Sequence, residues 1–382
     1  VQTQARLGVS RPAVLVTSRQ HVYTSDPISD TEAFPVELLA PSRSERRRRH
    51  QAPPILQRAF HVDVDHLIGA VERSARRHRA ELVHVHWPSG IGRAATRAAG
   101  ALCLPTVAEL RFDLAGAMLA QSANGYGRTL EPMARRWFER HVRHAAAVVV
   151  ASDALGTLVN RTHALCEDRL ATVPNGISAA FVAACDAARA DRADALSDTG
   201  RVTLGTTSKM LRYEGLETLL DCAAALPDID LVFIGDGPER SRLEASAEPL
   251  NRERAGRVRF AGAVPAAAIP ALLIGIDIFA VPRHDLSITR YASPIKVIEA
   301  MAAACCTVAS AVGDQARLLE HGRGVLVPPG DTPAFIAAIA ACAKDAEHRR
   351  RLGVAARQHA IERYDGDALI TRYADVYRRA LA

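Results

Sequence analysis

A cation that opens a helix sits in the wrong field unless something negative lies in front of it. The segment Ser293-Pro-Ile-Lys-Val-Ile-Glu299 reads as the first two turns of a helix. Ser293 is a good N-cap and Pro294 a good first helical residue. Lys296 in that first turn is disfavoured by the helix dipole by roughly 0.3–1 kcal/mol. A bound phosphate removes the conflict, because free backbone N–H groups and the ammonium would both face it. Glu299 follows three residues later, on the same face and one turn deeper. A carboxylate there can accept hydrogen bonds from ribose hydroxyls. The bland alternative is a capped core helix with a snorkelling lysine.

Lysine is scarce here: Lys209, Lys296 and Lys344 are the three in the chain, although Lys plus Arg total 48. Arginine has replaced lysine nearly everywhere else, so a surviving lysine points to a specific need. Lys209 follows a short apolar strand pattern, Arg201-Val-Thr-Leu-Gly-Thr-Thr207. Lys344 lies near an expected exposed helix end and carries no such suggestion.

The elements that would position these groups alternate along the whole chain. Strands are expected at 13–17, 36–40, 81–86, 105–109, 146–151 and 170–173, with helical patterns at 65–79, 92–102 and 127–143. The turn signal Pro174-Asn-Gly-Ile177 and an alanine-rich connector over 178–200 follow. The alternation then restarts, with strands expected at 201–206, 230–234, 258–261, 276–281, 307–310 and 325–327. Helices are expected at 215–225, 239–247, 266–273, 294–304 and 332–342, and a helical tail breaks near Tyr364-Asp-Gly366. Such alternation predicts α/β architecture with parallel sheets. In these sheets ligands bind at the carboxyl ends of the strands, and with two domains the expected site is the cleft between them.

A chain of 382 residues suggests two domains. The boundaries expected are 1–182 for an N-terminal domain and 183–363 for a second, with 364–382 a helix packing back toward the first. The 48% hydrophobic and 24% charged fractions are those of an ordinary globular protein. No run approaches the ~20 apolar residues of a membrane span, and no signal-peptide pattern opens the chain. Seven cysteines without metal-ligand spacing fit a reducing cytosol, so a cytoplasmic location is expected. The formal charge of +6 is concentrated in the N-terminal half, in Arg43-Ser-Glu-Arg-Arg-Arg-Arg49 and in Arg73, Arg76, Arg77 and Arg79. No aromatic interleaving accompanies it, so nucleic acid is not the expected partner. A peripheral contact with an anionic membrane stays open as a minor alternative.

The order of motifs over 201–363 resembles family 4 glycosyltransferases of the GT-B fold, particularly bacterial members. Its signposts are Tyr213-Glu-Gly-Leu-Glu-Thr-Leu-Leu220, Val232-Phe-Ile-Gly-Asp-Gly-Pro-Glu239, Val258-Arg-Phe-Ala-Gly-Ala-Val-Pro265, Asp277-Ile-Phe-Ala-Val-Pro282, the Ser293 segment, and Gly324-Val-Leu-Val-Pro-Pro-Gly-Asp331. The first half is similar only at Leu82-Val-His-Val-His-Trp-Pro88, Glu109-Leu-Arg111 and Val173-Pro-Asn-Gly-Ile177.

The resemblance implies two doubly wound Rossmann-like domains facing across a cleft. It also implies a retaining transferase that moves a UDP- or GDP-linked sugar to a small-molecule, glycan or lipid-linked acceptor, without cofactor or metal. The arginine and alanine bias suggests a GC-rich bacterial genome, and with it envelope or natural-product biosynthesis. By the resemblance Lys209 and Lys296 meet the diphosphate, Glu299 holds the ribose, and the turn at 262–265, with Val264, reads the base. Gly235 and Gly237 would let the chain pass close to the nucleotide. The common form has Lys-Gly where this chain has Glu214-Gly215, so one phosphate cation is missing, and Arg212 is the substitute considered. Tyr291 replaces a frequent glutamate, with Asp285 a speculative stand-in.

On the N-terminal wall His86 and Trp87 end one strand, while Glu109, Arg111 and Asp113 follow another. Glu109 or Asp113 can orient an acceptor hydroxyl, and Arg111 can meet the donor phosphate or an acidic acceptor. The competing reading is an ion-paired rim that only supports the loops. His84 reads equally as a buried, satisfied histidine. Other functions keep the same fold in play: a non-catalytic partner of another transferase, motivated by Glu214 and Tyr291, or a sugar-nucleotide epimerase or hydrolase.

Overall fold

The computed structural model describes residues 14–17, 36–39, 64–86, 90–113, 132, 136, 139–163, 167–194 and 201–382. Trp87, the Arg43–Arg49 run and most of the helix expected at 127–143 lie outside these residues. The chain forms two compact units, 1–174 with 367–382, and 175–366. The first boundary falls at 174/175 and not at 182/183, because Ile177, Phe181, Val182 and Cys185 pack into the core of the second unit. The second falls at 366/367, one residue into the last helix.

In the first unit the described strands are β1 (Val14–Thr17), β2 (Val36–Leu39), β3 (Val83–His86), β4 (Thr106–Leu110), β5 (Ala147–Val150) and β6 (Leu170–Thr172). β1 and β2 pair in parallel, and β3-β4-β5-β6 form a parallel four-stranded sheet. Two helices, α1 (Val64–Arg77) and α2 (Gly90–Ala101), bracket β3, while α3 (Asp153–His163) follows β5. The sequence pattern had not indicated α3; its capping signal is Ser152, whose hydroxyl accepts from the Leu155 N–H at 3.1 Å. The C-terminal helix joins this unit: Leu369, Tyr373, Val376, Tyr377 and Ala380 form a stripe at helical spacing that packs on Val107, Ala147 and Val149.

The second unit opens with α4 (Ala179–Asp194) and contains β7 (Val202–Ser208), β8 (Ile229–Gly235), β9 (Val258–Gly262), β10 (Ile278–Val281), β11 (Cys306–Ser310) and β12 (Val325–Val327). All six run parallel in the order β12-β11-β10-β7-β8-β9. β10 is wholly buried, and its side chains alternate between two cores: Ile278 and Ala280 face one, Phe279 and Val281 the other. α5 (Glu217–Ala225), α6 (Arg240–Glu253), α7 (Ile269–Ile274), α8 (Ser287–Tyr291), α9 (Ile295–Ala302), α10 (Gly313–Leu319), α11 (Thr332–Lys344) and α12 (Ala346–Arg363) complete the unit, and α13 (Gly366–Leu381) is the returning helix. No helix among the described residues is long and apolar enough to cross a membrane.

Candidate functional site

The strand order of the second unit reverses direction between β7 and β10. That is the topological switch point, where loops leave neighbouring strands in opposite directions and open a crevice at the carboxyl edge. The residues singled out by sequence cluster along this edge. Lys209 follows β7 and is exposed, Gly235 ends β8 with Gly237 just beyond, Val264 follows β9, and Ser293 to Glu299 follow β10.

The β7 exit is a tight turn. The Met210 N–H bonds the Ser208 hydroxyl at 2.8 Å, and Met210 is fully buried in the left-handed region at φ 43. A Cβ on Gly235 would stand 1.9 Å from the Ser208 carbonyl oxygen, and one on Gly237 1.8 Å from that of Lys209. The chain's own close approach therefore requires both glycines, with no appeal to a ligand.

The main surprise is Glu214. It ends a short 3-10 turn (Arg212–Glu214) after β7 and is only 4% exposed. One carboxylate oxygen, Oε2, takes the Lys296 ammonium; the other, Oε1, lies 3.3 Å from Nη2 of Arg283. Burial alone would push this carboxyl up, but Lys296 and Arg283 override it and hold it at about 2. Arg283, which follows β10 and is itself buried, is thus a second cation beside this carboxylate. The sequence pattern did not single it out; the available signal was an arginine two residues after a strand at the switch point. Arg212 is exposed on the same turn as Glu214. Asp285 is bound to Arg290 at 2.5 and 2.8 Å, so its carboxylate is engaged on the surface.

The start of α9 also differs from expectation. Pro294, not Ser293, holds the N-cap position, with no side-chain cap bond. The Ser293 hydroxyl accepts from the Asn175 N–H at 3.4 Å, and its carbonyl accepts from the Asn175 side-chain amide at 2.9 Å. Ser293 thus ties the helix start to the Pro174-Asn-Gly-Ile177 turn. Lys296 folds back onto Glu214, its side chain 13% exposed, so an internal carboxylate already answers the cation's conflict with the dipole. Burial lowers the Lys296 ammonium from its usual range, while Glu214 opposes that and Arg283 adds to it. Glu299, one turn deeper, is pushed up to about 7 by burial, with Lys296 holding it back only in part.

In the first unit the ends of β3 and β4 form a second charged cluster. His86 is the register partner of Glu109 in the parallel pair. The Glu109 carboxylate is 1% exposed; His84 Nε2 and His86 Nδ1 each lie 3.0 Å from Oε2, and Arg111 pairs with Oε1. Burial would raise this carboxyl, but the two imidazoles and Arg111 hold it well below the usual carboxylate range. The His84 imidazole is lowered, chiefly by burial, and its Nδ1 lies 2.8 Å from the Tyr377 hydroxyl on α13. His84 is thus the mostly buried histidine, hydrogen-bonded through Nδ1 alone, whereas the His86 ring is 51% exposed and the Arg111 side chain 35%. Glu109 does not open onto an acceptor hydroxyl itself, because both oxygens are buried behind Arg111 and the two imidazoles. It fixes His86, whose Nε2 is the ring nitrogen not turned to the carboxylate. Asp113 lies beyond β4, half-buried. Among the described residues His84, His86 and Glu109 bring three potential ligand atoms within 4.8 Å of one another, although Arg111 already occupies the other Glu109 oxygen.

Comparison with known proteins places both halves of the chain. A model described as group 1 glycosyl transferases matches residues 188–359, and one described as glycosyltransferase family 4 matches residues 23–181. An alpha-maltose-1-phosphate synthase of Mycolicibacterium smegmatis is 28% identical over 64% of this chain and 66% of its own length. An alpha-D-kanosaminyltransferase of Streptomyces kanamyceticus is 28% identical over 66% of this chain and 65% of its own. The chain thus aligns with just under two thirds of the length of these curated relatives. The crystal structure of Anabaena HepE in complex with UDP and glucose superposes with a TM-score of 0.71 at 19% identity, covering 98% of this chain and 95% of that one.

Proposed function

This chain belongs to the family 4 glycosyltransferases of the GT-B fold, and from that premise we propose that it transfers a sugar from a nucleoside diphosphate sugar to a hydroxyl-bearing acceptor with retention at the anomeric carbon. The observation that carries this reading is the grouping of Lys296 and Arg283 on Glu214, with Glu299 one turn deeper, at the switch point of the second sheet.

The physical task is to bind a diphosphate that gains charge as the glycosidic bond breaks. Preorganised cations aimed at that charge lower the barrier without a strong protein nucleophile. In this reading Lys296 and Arg283 neutralise the leaving group, Lys209 adds a cation at the β7 edge, and no metal is required. Glu299 accepts the ribose hydroxyls. Val264 and its neighbours contact the base through the backbone. In the first unit His86, held by Glu109, accepts a hydrogen bond from the acceptor hydroxyl, and Arg111 and Asp113 shape that side.

UDP is the first nucleotide to test, given the ligand named for the HepE structure. Thermal shifts of the full chain against UDP, GDP, ADP and dTDP test the donor reading. A ligand at 100 times its Kd stabilises the native state by about 2.7 kcal/mol. The reading requires one of the four to shift the wild type and to lose that shift in Lys296→Met. No shift with any of them removes it.

A further inference from the structure

Glu214 is the residue that the donor site explains least. A carboxylate repels a diphosphate directly, and this one is buried between two strand-exit segments and the start of a helix. It leaves the 3-10 turn after β7, touches Arg283 after β10 and receives Lys296 from α9. Side-chain exposures are 5%, 10% and 13% for Glu214, Arg283 and Lys296.

We propose that Glu214 is a positioning residue that keeps the buried Lys296 ammonium protonated and pointed beside Arg283, so that the donor diphosphate meets two cations. The proposal rests on the donor reading above and deepens it. Two forces act to strip the proton from Lys296: its burial, and the guanidinium of Arg283 held on the same carboxylate. Two carboxylates oppose them, Glu214 across the loop and Glu299 on its own helix. Glu299 is pushed up to about 7 and is only partly ionised at neutral pH, whereas Glu214 is held at about 2 and stays charged. The neighbouring Tyr213 phenol, pushed up to about 12, stays neutral. Glu214 is then the lasting counter-charge of the pair. Its two oxygens are divided, one to each cation, which sets the spacing of the two groups before a ligand arrives. A lysine in its place would set three cations together with only the partly ionised Glu299 to oppose them, so the carboxylate is the partner that makes Arg283 tolerable here.

The test uses Glu214→Gln in the full chain, with whichever of UDP, GDP, ADP or dTDP the wild type binds. At pH 8.5 the variant should bind at least 10-fold more weakly than wild type, and the deficit should shrink to within about 2-fold at pH 6, where Lys296 regains its proton. Equal or tighter binding at pH 8.5 overturns the proposal, and so does a loss of equal size at every pH, which marks a purely structural role.

With three lysines in the chain, selectively labelled lysine side chains give a sparse NMR spectrum in which Lys296→Met identifies the signal. Wild-type Lys296 should stay protonated at pH 8, and in Glu214→Gln it should titrate at a lower pH than in wild type. Identical titration curves overturn the proposal even if binding is lost. Glu214→Asp, which retains the charge, should keep the wild-type pH behaviour and guards against a fold defect in the glutamine variant. If Lys296→Met binds the nucleotide as wild type does, the donor reading fails while the titration result still stands.

Discussion

Both units bury a carboxylate at the carboxyl edge of a parallel sheet, yet the side chains gathered around it differ in kind. Glu214 in the second unit holds a lysine and an arginine, charged groups that suit a diphosphate. Glu109 in the first unit holds one arginine and two imidazoles, of which His86 is half exposed. An imidazole pinned through one nitrogen offers the other as a hydrogen-bond acceptor, which suits a hydroxyl. The difference lies in the partners. The same buried anion prepares a field in one unit and a hydrogen-bonding tip in the other.

The sharpest way to break this comparison is to remove the anion of the first unit. Glu109→Ala leaves Arg111 and the histidines without their buried counter-charge, and should cost about 3–5 kcal/mol in urea denaturation of the full chain. A cost below 1 kcal/mol would mean that the cluster is held by other contacts. Next comes Glu299→Ala, which should weaken binding of the nucleoside diphosphate by roughly 10- to 100-fold, about 1.4–2.7 kcal/mol, through lost hydrogen bonds to a charged acceptor. Wild-type affinity should also rise as pH passes upward through about 7, where Glu299 ionises, and calorimetry at pH 6 and 8 would read it.

A third measurement compares the carboxylates by pH. Glu214 is held below its ordinary 4.5, so its share of stability is complete above that pH and fades as pH falls toward about 2. Glu299 is raised, so the sign reverses: the folded state loses stability as pH climbs from 4.5 to about 7. Glu299→Gln should therefore flatten the stability–pH curve between pH 5 and 8, by roughly 1–2 kcal/mol. An unchanged slope would refute the raised carboxyl. The smallest effect on stability is expected at His86. His86→Ala, at a half-exposed position, should cost about 1 kcal/mol in stability, through the contact it makes to the buried Glu109 carboxylate. It should leave nucleotide affinity within about 2-fold of wild type and lower sugar transfer to an acceptor about 10-fold or more. A matching fall in nucleotide affinity would place His86 on the donor side instead.

Much of the fold was legible because its signals are local. Strands buried on both faces read as short apolar runs, as at Ile278–Val281, and Lys296 and Glu299 share a face through helical spacing alone. The elements missed were short or capped quietly: Ser287–Tyr291, Gly313–Leu319 and Asp153–His163. At the helix start, residue types pointed to Ser293 as the cap, but the serine had a better partner in Asn175, 118 residues away.

The sequence by itself determined the alternation of strands and helices, the family, and which residues would follow the strand ends, because periodicity and motif order are properties of neighbours along the chain. It did not determine the charge logic of the site. Glu214 meets Arg283 across 69 residues and Lys296 across 82, and a carboxylate read alone at 214 signals only a lost cation. The parallel strand order set β7 beside β10 and brought their exit loops together. Only in that buried juxtaposition did the glutamate become the anchor of two cations, because the value of a charge depends on what surrounds it and how much water is left.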